Sequence, residues 1–270
     1  MFGRLRLVPQ LAEQPAFSAL GVHCGMTNLI DETLEHRCLA LTGSFETSAG
    51  IPDCYCGLAG DFDGMGLSYG VLQWNLGQGT LQPLLSDMLS AHENAITAIF
   101  AEHTEALRTM LGGSRDAQLG WARSIQDLSR HAVLDPWKSL LLALGRTPEF
   151  QAVQVAHAGR IYQNAVYLCR RFGVNTERAL ALMFDISVQN GGIDDAVDAR
   201  IRADFAVIPV DDEVARLQSI ANRRAEASNP RYIEDVRERK LTIANGQGMV
   251  HNVWYDLAEQ FRIGLRSAFA

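Results

Sequence analysis

Two neighbouring stretches decide how this chain is to be read. The first is Ser44-Phe-Glu-Thr-Ser-Ala-Gly50, and the second is Gly60-Asp-Phe-Asp-Gly-Met-Gly-Leu-Ser-Tyr-Gly-Val-Leu-Gln-Trp-Asn75. Upstream of the first, Leu34, Cys38, Leu39 and Leu41 recur at helical spacing, with Asp31 placed to cap that helix. The helix runs out near Gly43–Glu46, so Glu46 falls at an apolar helix end. Residues 47–80 hold eight glycines and few charges, which predicts loops and a short hairpin, with Asp61 and Asp63 in its turn.

The chemical content of this region is a pair of carboxyl groups in unlike surroundings. A Glu against an apolar helix end can be kept protonated by desolvation, whereas an Asp in an open polar turn stays ionised. Breaking a glycosidic bond requires such a pair: one acid to protonate the leaving oxygen, one base to activate water. The Asp-x-Asp-Gly run also resembles the start of a calcium loop, but the fifth position from Asp61 is Met65 and the twelfth is Leu72, which removes that reading.

Glu46-Thr-Ser-Ala-Gly50, followed by Gly-Asp and then Gly-Leu-Ser-Tyr-Gly-Val-Leu-Gln73, resembles the active-site stretch of goose-type lysozymes and related transglycosylases. It is also similar to bacterial chitosanases of the lysozyme superfamily, in which a helix-end Glu is followed by Gly-Asp-Gly-x-Gly. Arg178 to Gly191 looks like the buried central helix of the chitosanases, and residues 231–256 resemble phage-tail and secretion-system cell-wall hydrolases. The resemblance implies an α+β, mainly α, lysozyme-like two-lobed fold with a small Gly-rich β-hairpin beside the active-site cleft. It places Glu46 as general acid and Asp63 as the water-activating base, with Asp61 as the near alternative. Cys54-Tyr-Cys56, between these carboxylates, is required by neither reference family.

Helical patterns cover about 81–90, 93–110, 114–131, 135–144, 148–172, 175–190, 195–204 and 210–226. A turn at Asn245-Gly-Gln-Gly248 precedes a final helix over about 253–266. The domain reading is an N-terminal arm over 1–30 and a catalytic domain over 31–270. Ser68, Tyr69, Gln73 and Asn75 are candidate sugar contacts on a strand, and Gln189 at a helix end is a further one. Tyr69 reads equally well as core. Asp185 lies inside an apolar helix and calls for a cationic partner, either Arg178 or one of the basic residues of 231–240.

The net charge of −7 argues against nucleic acid as a partner. No stretch approaches the ~20 apolar residues of a membrane span. Met1-Phe-Gly-Arg-Leu-Arg-Leu-Val-Pro9 lacks the apolar core of a signal peptide. The expectation is therefore synthesis in the cytoplasm and delivery to the periplasm or cell wall by a phage or secretion system, with delivery machinery or an immunity protein as partner. Cys24, Cys38, Cys54, Cys56 and Cys169 read as free thiols ahead of disulfides or a zinc site. No Ser elbow, phosphate loop or dinucleotide fingerprint is present.

The reading is thus a muramidase-like hydrolase of the β-1,4 bonds of peptidoglycan, acting by inversion without metal or organic cofactor. The alternatives are a chitosanase-like hydrolase of glucosamine polymers, a lytic transglycosylase, and a non-catalytic cell-wall-binding module on the same scaffold. A basic face at 231–240 favours the anionic peptidoglycan, while the overall negative charge favours polycationic chitosan.

Overall fold

The computed structural model describes residues 33–47 and 49–269. The predicted N-terminal arm with its Cys24, and Asp31, the predicted cap of the first helix, lie outside these residues. The chain divides into two compact units, one of residues 42–159 and one of residues up to 41 together with 160–270. Helices α1 (Leu34–Thr47) and α7 (Pro148–Phe172) contribute residues to both.

The unit of residues 42–159 opens with the last turns of α1 and a 3-10 turn, Asp53–Cys56. A three-stranded antiparallel sheet follows: β1 (Leu58–Ala59), β2 (Ser68–Tyr69) and β3 (Trp74–Asn75), in that order. The register pairs Leu58 with Tyr69 and Tyr69 with Trp74. Helices α2 (Leu81–Ala91), α3 (Glu93–Phe100), α4 (Thr104–Gly112) and α5 (Arg115–Ser124) pack next, then strands β4 (Gln126–Asp127) and β5 (Ala132–Val133), then α6 (Trp137–Gly145). Leu81, Leu84, Leu85 and Met88 of α2, Ile96 and Phe100 of α3, Leu107 of α4, and Leu141 and Leu144 of α6 lie on the inner faces of their helices and form one core with Tyr69 and Phe150. Each such side chain, once buried, stabilises the fold by about 1.5–3 kcal/mol. The Tyr69 and Phe150 rings stack at 5.2 Å, and Trp121 meets Trp137 edge-on at 4.9 Å.

The other unit is organised around α8 (Glu177–Asn190), in which every residue from Ala179 to Ile186 is buried. A helix that is apolar on all sides has to be wrapped by others. It is capped by Thr176, whose side chain accepts from the Ala179 N–H, and it stops at Gly191 in the left-handed region. Around it run α9 (Asp195–Phe205), α10 (Glu213–Glu226) and α11 (Ile233–Asn245). The hairpin β6 (Gln247–Val250) with β7 (Val253–Asp256) and the short α12 (Leu257–Phe261) complete it. Glu177 ties the chain's end to the first turn of α8, accepting from Arg37, Arg266 and the Gly264 N–H.

Asp185 is wholly buried, and both Arg239 and Lys240 of α11 bond to it. Burial alone would push its carboxyl up. The two cations outweigh burial and hold it at about 2. This corrects the expected basic face at 231–240, because Arg239 and Lys240 are core residues at 1% and 0% exposure and Arg237 bonds Glu234.

Three predicted helices are interrupted. The expected 93–110 helix breaks at Ala101, where φ is 43°, into α3, a 3-10 turn and α4. The expected 114–131 helix stops at Ser124, because the Gln126 amide is drawn into bonds with the loop at residues 60–66 and the chain returns as β4–β5. The expected 253–266 helix is instead β7 and α12. His251 and Asn252 both have positive φ, 51° and 64°, which suits a tight hairpin turn, and Val253, Trp254 and Tyr255 are strand formers. Cys38, Cys54, Cys56 and Cys169 are buried free thiols, and burial pushes each of them up.

Candidate functional site

The sequence candidates Glu46, Asp61, Asp63, Ser68, Tyr69, Gln73 and Asn75 all belong to the unit of residues 42–159. Gln189 belongs to the other unit, at the end of α8, where its side-chain carbonyl accepts from Lys240 Nζ at 2.5 Å. That carbonyl serves the buried charge cluster.

Glu46 lies in the last turn of α1. Residues 38–45 are buried and Glu46 is exposed, so the apolar helix delivers the carboxyl to its surface end. Two glycines allow the helix end to dock on the sheet. A Cβ at Gly43 would lie 1.9 Å from Val71 Cγ2, and a Cβ at Gly57 would lie 2.6 Å from Gln73 Nε2 and 3.3 Å from Thr47 Cγ2. The residue following Glu46 therefore packs against the start of β1 and the β2–β3 turn. That turn is fastened from α7. Gln154, wholly buried, accepts from the Val71 N–H at 2.8 Å and donates to the Tyr55 carbonyl at 3.3 Å.

Asp63 sits at the other end of β1, in the loop joining it to β2, and is exposed. Its carboxylate accepts one backbone N–H, from Met65 at 3.1 Å. Asp61, two residues away, is differently placed. Its side chain is 5% exposed, one oxygen accepts from Arg123 Nε at 3.0 Å, and the other accepts from the Gly66 N–H at 3.0 Å. Burial raises its carboxyl, but the Gly66 N–H, the Arg123 guanidinium and the Gly64 N–H together outweigh burial and hold it below the usual range. Asp61 is thereby committed to the loop's own structure, and Asp63 is the carboxylate the loop presents.

The loop itself is built on β4 and β5. Gln126 Oε1 accepts from the Asp61 N–H at 2.7 Å, and its amide nitrogen donates to the carbonyls of Gly66 and Ala122. His131 Nδ1 donates to the Asp61 carbonyl at 2.7 Å, and the Gly60 N–H donates to the His131 carbonyl at 3.2 Å. Arg123 also donates to the Gly64 carbonyl. A Cβ at Gly60 would lie 2.3 Å from the His131 oxygen, so only glycine permits this approach. Gly64 and Gly66 take φ of 81° and 88°.

The sugar-contact candidates divide. Tyr69 is 0% exposed and its hydroxyl donates to the Leu141 carbonyl, so it is a core residue with no face left for a polymer. Ser68 and Asn75 are buried and bonded to one another, Asn75 Nδ2 to Ser68 Oγ at 2.9 Å. Gln73 is part-exposed, in the β2–β3 turn with φ of 52°, and donates to the Gly70 carbonyl at 3.0 Å. Sequence reasoning missed Arg115, Arg123, Gln126 and Gln154. The first three lie in a stretch read as one uninterrupted helix, where nothing distinguishes them from surface residues.

No family model matches the chain, and no curated protein does. Among solved structures, one described as a chitosanase complex superposes with a TM-score of 0.51 at 18% identity, covering 83% of this chain and 96% of its own. A chitosanase co-crystallised with substrate gives 0.51 and 18%, with 83% and 95% covered. The chain has the chitosanase fold. A Gynuella sunshinyii chitosanase bound to chitotetraose gives a TM-score of 0.49 at 16% identity, with 83% and 97% covered. The two structures with a TM-score of 0.51 are both described as chitosanases, one of the two families that the sequence resembles. Within the chitosanase fold the helix-end Glu46, the glycine-supported sheet and the pinned loop carrying Asp63 form the candidate site.

Proposed function

We propose that the protein hydrolyses β-1,4 bonds of an amino-sugar glycan by general acid and base catalysis with inversion. The observation that carries this reading is the placement of two carboxylates at opposite ends of one short strand. Glu46 is at the helix end that packs on Gly57, and Asp63 is in the loop beyond Gly60. Three residues of extended chain from Gly57 to Gly60 span about 10 Å. A strand standing between the two carboxylates favours inversion, which needs room for a water between them, over a double-displacement site with its carboxyls ~5 Å apart.

In this mechanism Glu46 donates its proton to the glycosidic oxygen as the C1–O bond breaks. Asp63 accepts a proton from a water that attacks C1 from the opposite face. One water is consumed, a reducing end of inverted configuration is formed, and both carboxyls return to their starting states by exchange with solvent.

Peptidoglycan is the first substrate reading, reached after delivery by a phage or secretion machine. Chitosan is the second, favoured by the likeness of the fold to chitosanases. The deciding experiment treats purified peptidoglycan and chitosan with wild type and Glu46→Gln, reads product masses, and follows the first product's anomer by NMR. Reducing fragments of inverted configuration from wild type alone support the proposal. Anhydro-muropeptides point to a transglycosylase, and retained configuration defeats the assignment of Asp63. Release from neither polymer leaves a binding module as the reading.

A further inference from the structure

The loop that carries Asp63 is flanked by a second guanidinium besides Arg123. Arg115, the first residue of α5, is exposed. Its Nε donates to the Gly77 carbonyl at 2.9 Å, and one terminal nitrogen lies 3.6 Å from Met65 Sδ. Met65 is the residue whose N–H holds the Asp63 carboxylate. The Gly77 segment is itself fixed on the loop: its N–H donates to the Met65 carbonyl at 2.9 Å, and a Cβ there would lie 2.7 Å from that oxygen. Arg115 is thus held in place by groups that carry no charge.

The other charges facing this loop are accounted for. Arg123 is paired with Asp61. Arg130 faces Asp127 at 3.6 Å, and His131 donates to a carbonyl. Asp116 is exposed beside Arg115 on α5 without an ion pair to it. No carboxylate of the described residues pairs with Arg115. A guanidinium has five N–H donors, and here one goes to a carbonyl and one to a sulfur, a weak acceptor. The other three have no partner among the described residues, and a guanidinium can hold a carboxylate on two parallel bonds.

We propose that Arg115 reads the charge of the glycan. It takes a carboxylate borne on a substituent of the sugar next to the cleaved bond, and it disfavours a glucosaminium at the same place. The site is thereby directed to a carboxylate-bearing glycan such as peptidoglycan, on the same fold that chitosanases use. This inference rests on the hydrolase reading above and adds to it the residue that selects the substrate.

The test compares wild type, Arg115→Gln and Arg115→Lys on three polymers: purified peptidoglycan, the same material with its carboxyls converted to amides, and chitosan. Thermal melts accompany the rates, and Gln retains a donor for Gly77. Wild type is expected to prefer native over amidated peptidoglycan by about tenfold in kcat/KM, chiefly through KM. Arg115→Gln is expected to erase that preference while its rate on the amidated material stays within about twofold of wild type, and Arg115→Lys to keep part of it. An equal fall on native and amidated polymer makes Arg115 a structural staple and overturns the proposal. So does a wild type indifferent to amidation, or one that cleaves chitosan alone with Arg115→Gln unchanged; in both cases the hydrolase reading survives. If wild type cleaves none of the three, both readings fall together.

Discussion

Gln126 accepts a 2.7 Å hydrogen bond from the backbone N–H of Asp61, a residue 65 positions earlier in the chain. With its other end on the carbonyls of Gly66 and Ala122, this one buried amide closes the base of the loop that presents Asp63. A substitution here should be felt at a carboxylate that Gln126 does not touch. Gln126→Leu leaves buried polar groups without partners, which costs about 1–3 kcal/mol each. A shift of about 1 Å at Asp63 is expected to lower kcat about 100-fold. A thermal melt and steady-state rates on the cleaved glycan check both.

Asp61 and Asp63 should separate cleanly. Asp63→Asn is expected to lower kcat by about 100-fold or more with an unchanged melting temperature, because its carboxylate accepts a single backbone bond and stands exposed. Asp61→Asn weakens the bonds from Arg123 and Gly66 and is expected to lower stability by about 1–3 kcal/mol. If Asp61→Asn abolishes turnover with the fold intact while Asp63→Asn is active, the assignment is reversed.

Glu46→Gln keeps the shape of the side chain at the exposed end of α1 and removes its proton. Turnover should fall by about 100- to 10,000-fold. The melting temperature should remain that of wild type, since α1 anchors itself through residues 38–45.

Asp185 governs the acid limb of stability. Its folded carboxyl titrates at about 2, below the ordinary 3.8, so the folded state binds fewer protons than the unfolded state between those values. The stabilisation is complete above about pH 4 and is lost as pH falls towards 2. Asp61, also lowered, acts with the same sign. Asp185→Asn leaves Arg239 and Lys240 buried with no full counter-charge from α8 and is expected to cost about 3–5 kcal/mol. Denaturant melts from pH 2 to 7 should show a shallower acid loss in the variant. An unchanged slope would remove Asp185 from this role.

Gly43→Ala tests the docking of the helix end. The added methyl would sit 1.9 Å from Val71 Cγ2, so either α1 or the β2–β3 turn must move. Overpacking of this kind costs about 1–3 kcal/mol, and activity is expected to fall with it because Glu46 lies in the helix's last turn.

Much of this was legible in the chain. The apolar stripe of α1 ending at Glu46, the glycine-rich run through Asp61 and Asp63, the continuous apolar face of α8 and the need of Asp185 for a basic partner are local patterns that the sequence reports directly, while the choice of Arg239 and Lys240 over Arg178 as that partner is not. The bonds made by Arg115, Arg123, Gln126 and Gln154 came from the tertiary structure alone, as did the unlike surroundings of Asp61 and Asp63. Each depends on a hydrogen bond between residues remote in sequence, and a side chain's amide or guanidinium carries no mark of which distant backbone group it will meet. The same holds for burial. Tyr69, Arg239 and Lys240 are composed like surface or groove residues, and only the packing of Phe150 on Tyr69 and the buried charge of Asp185 decide that they belong to the interior.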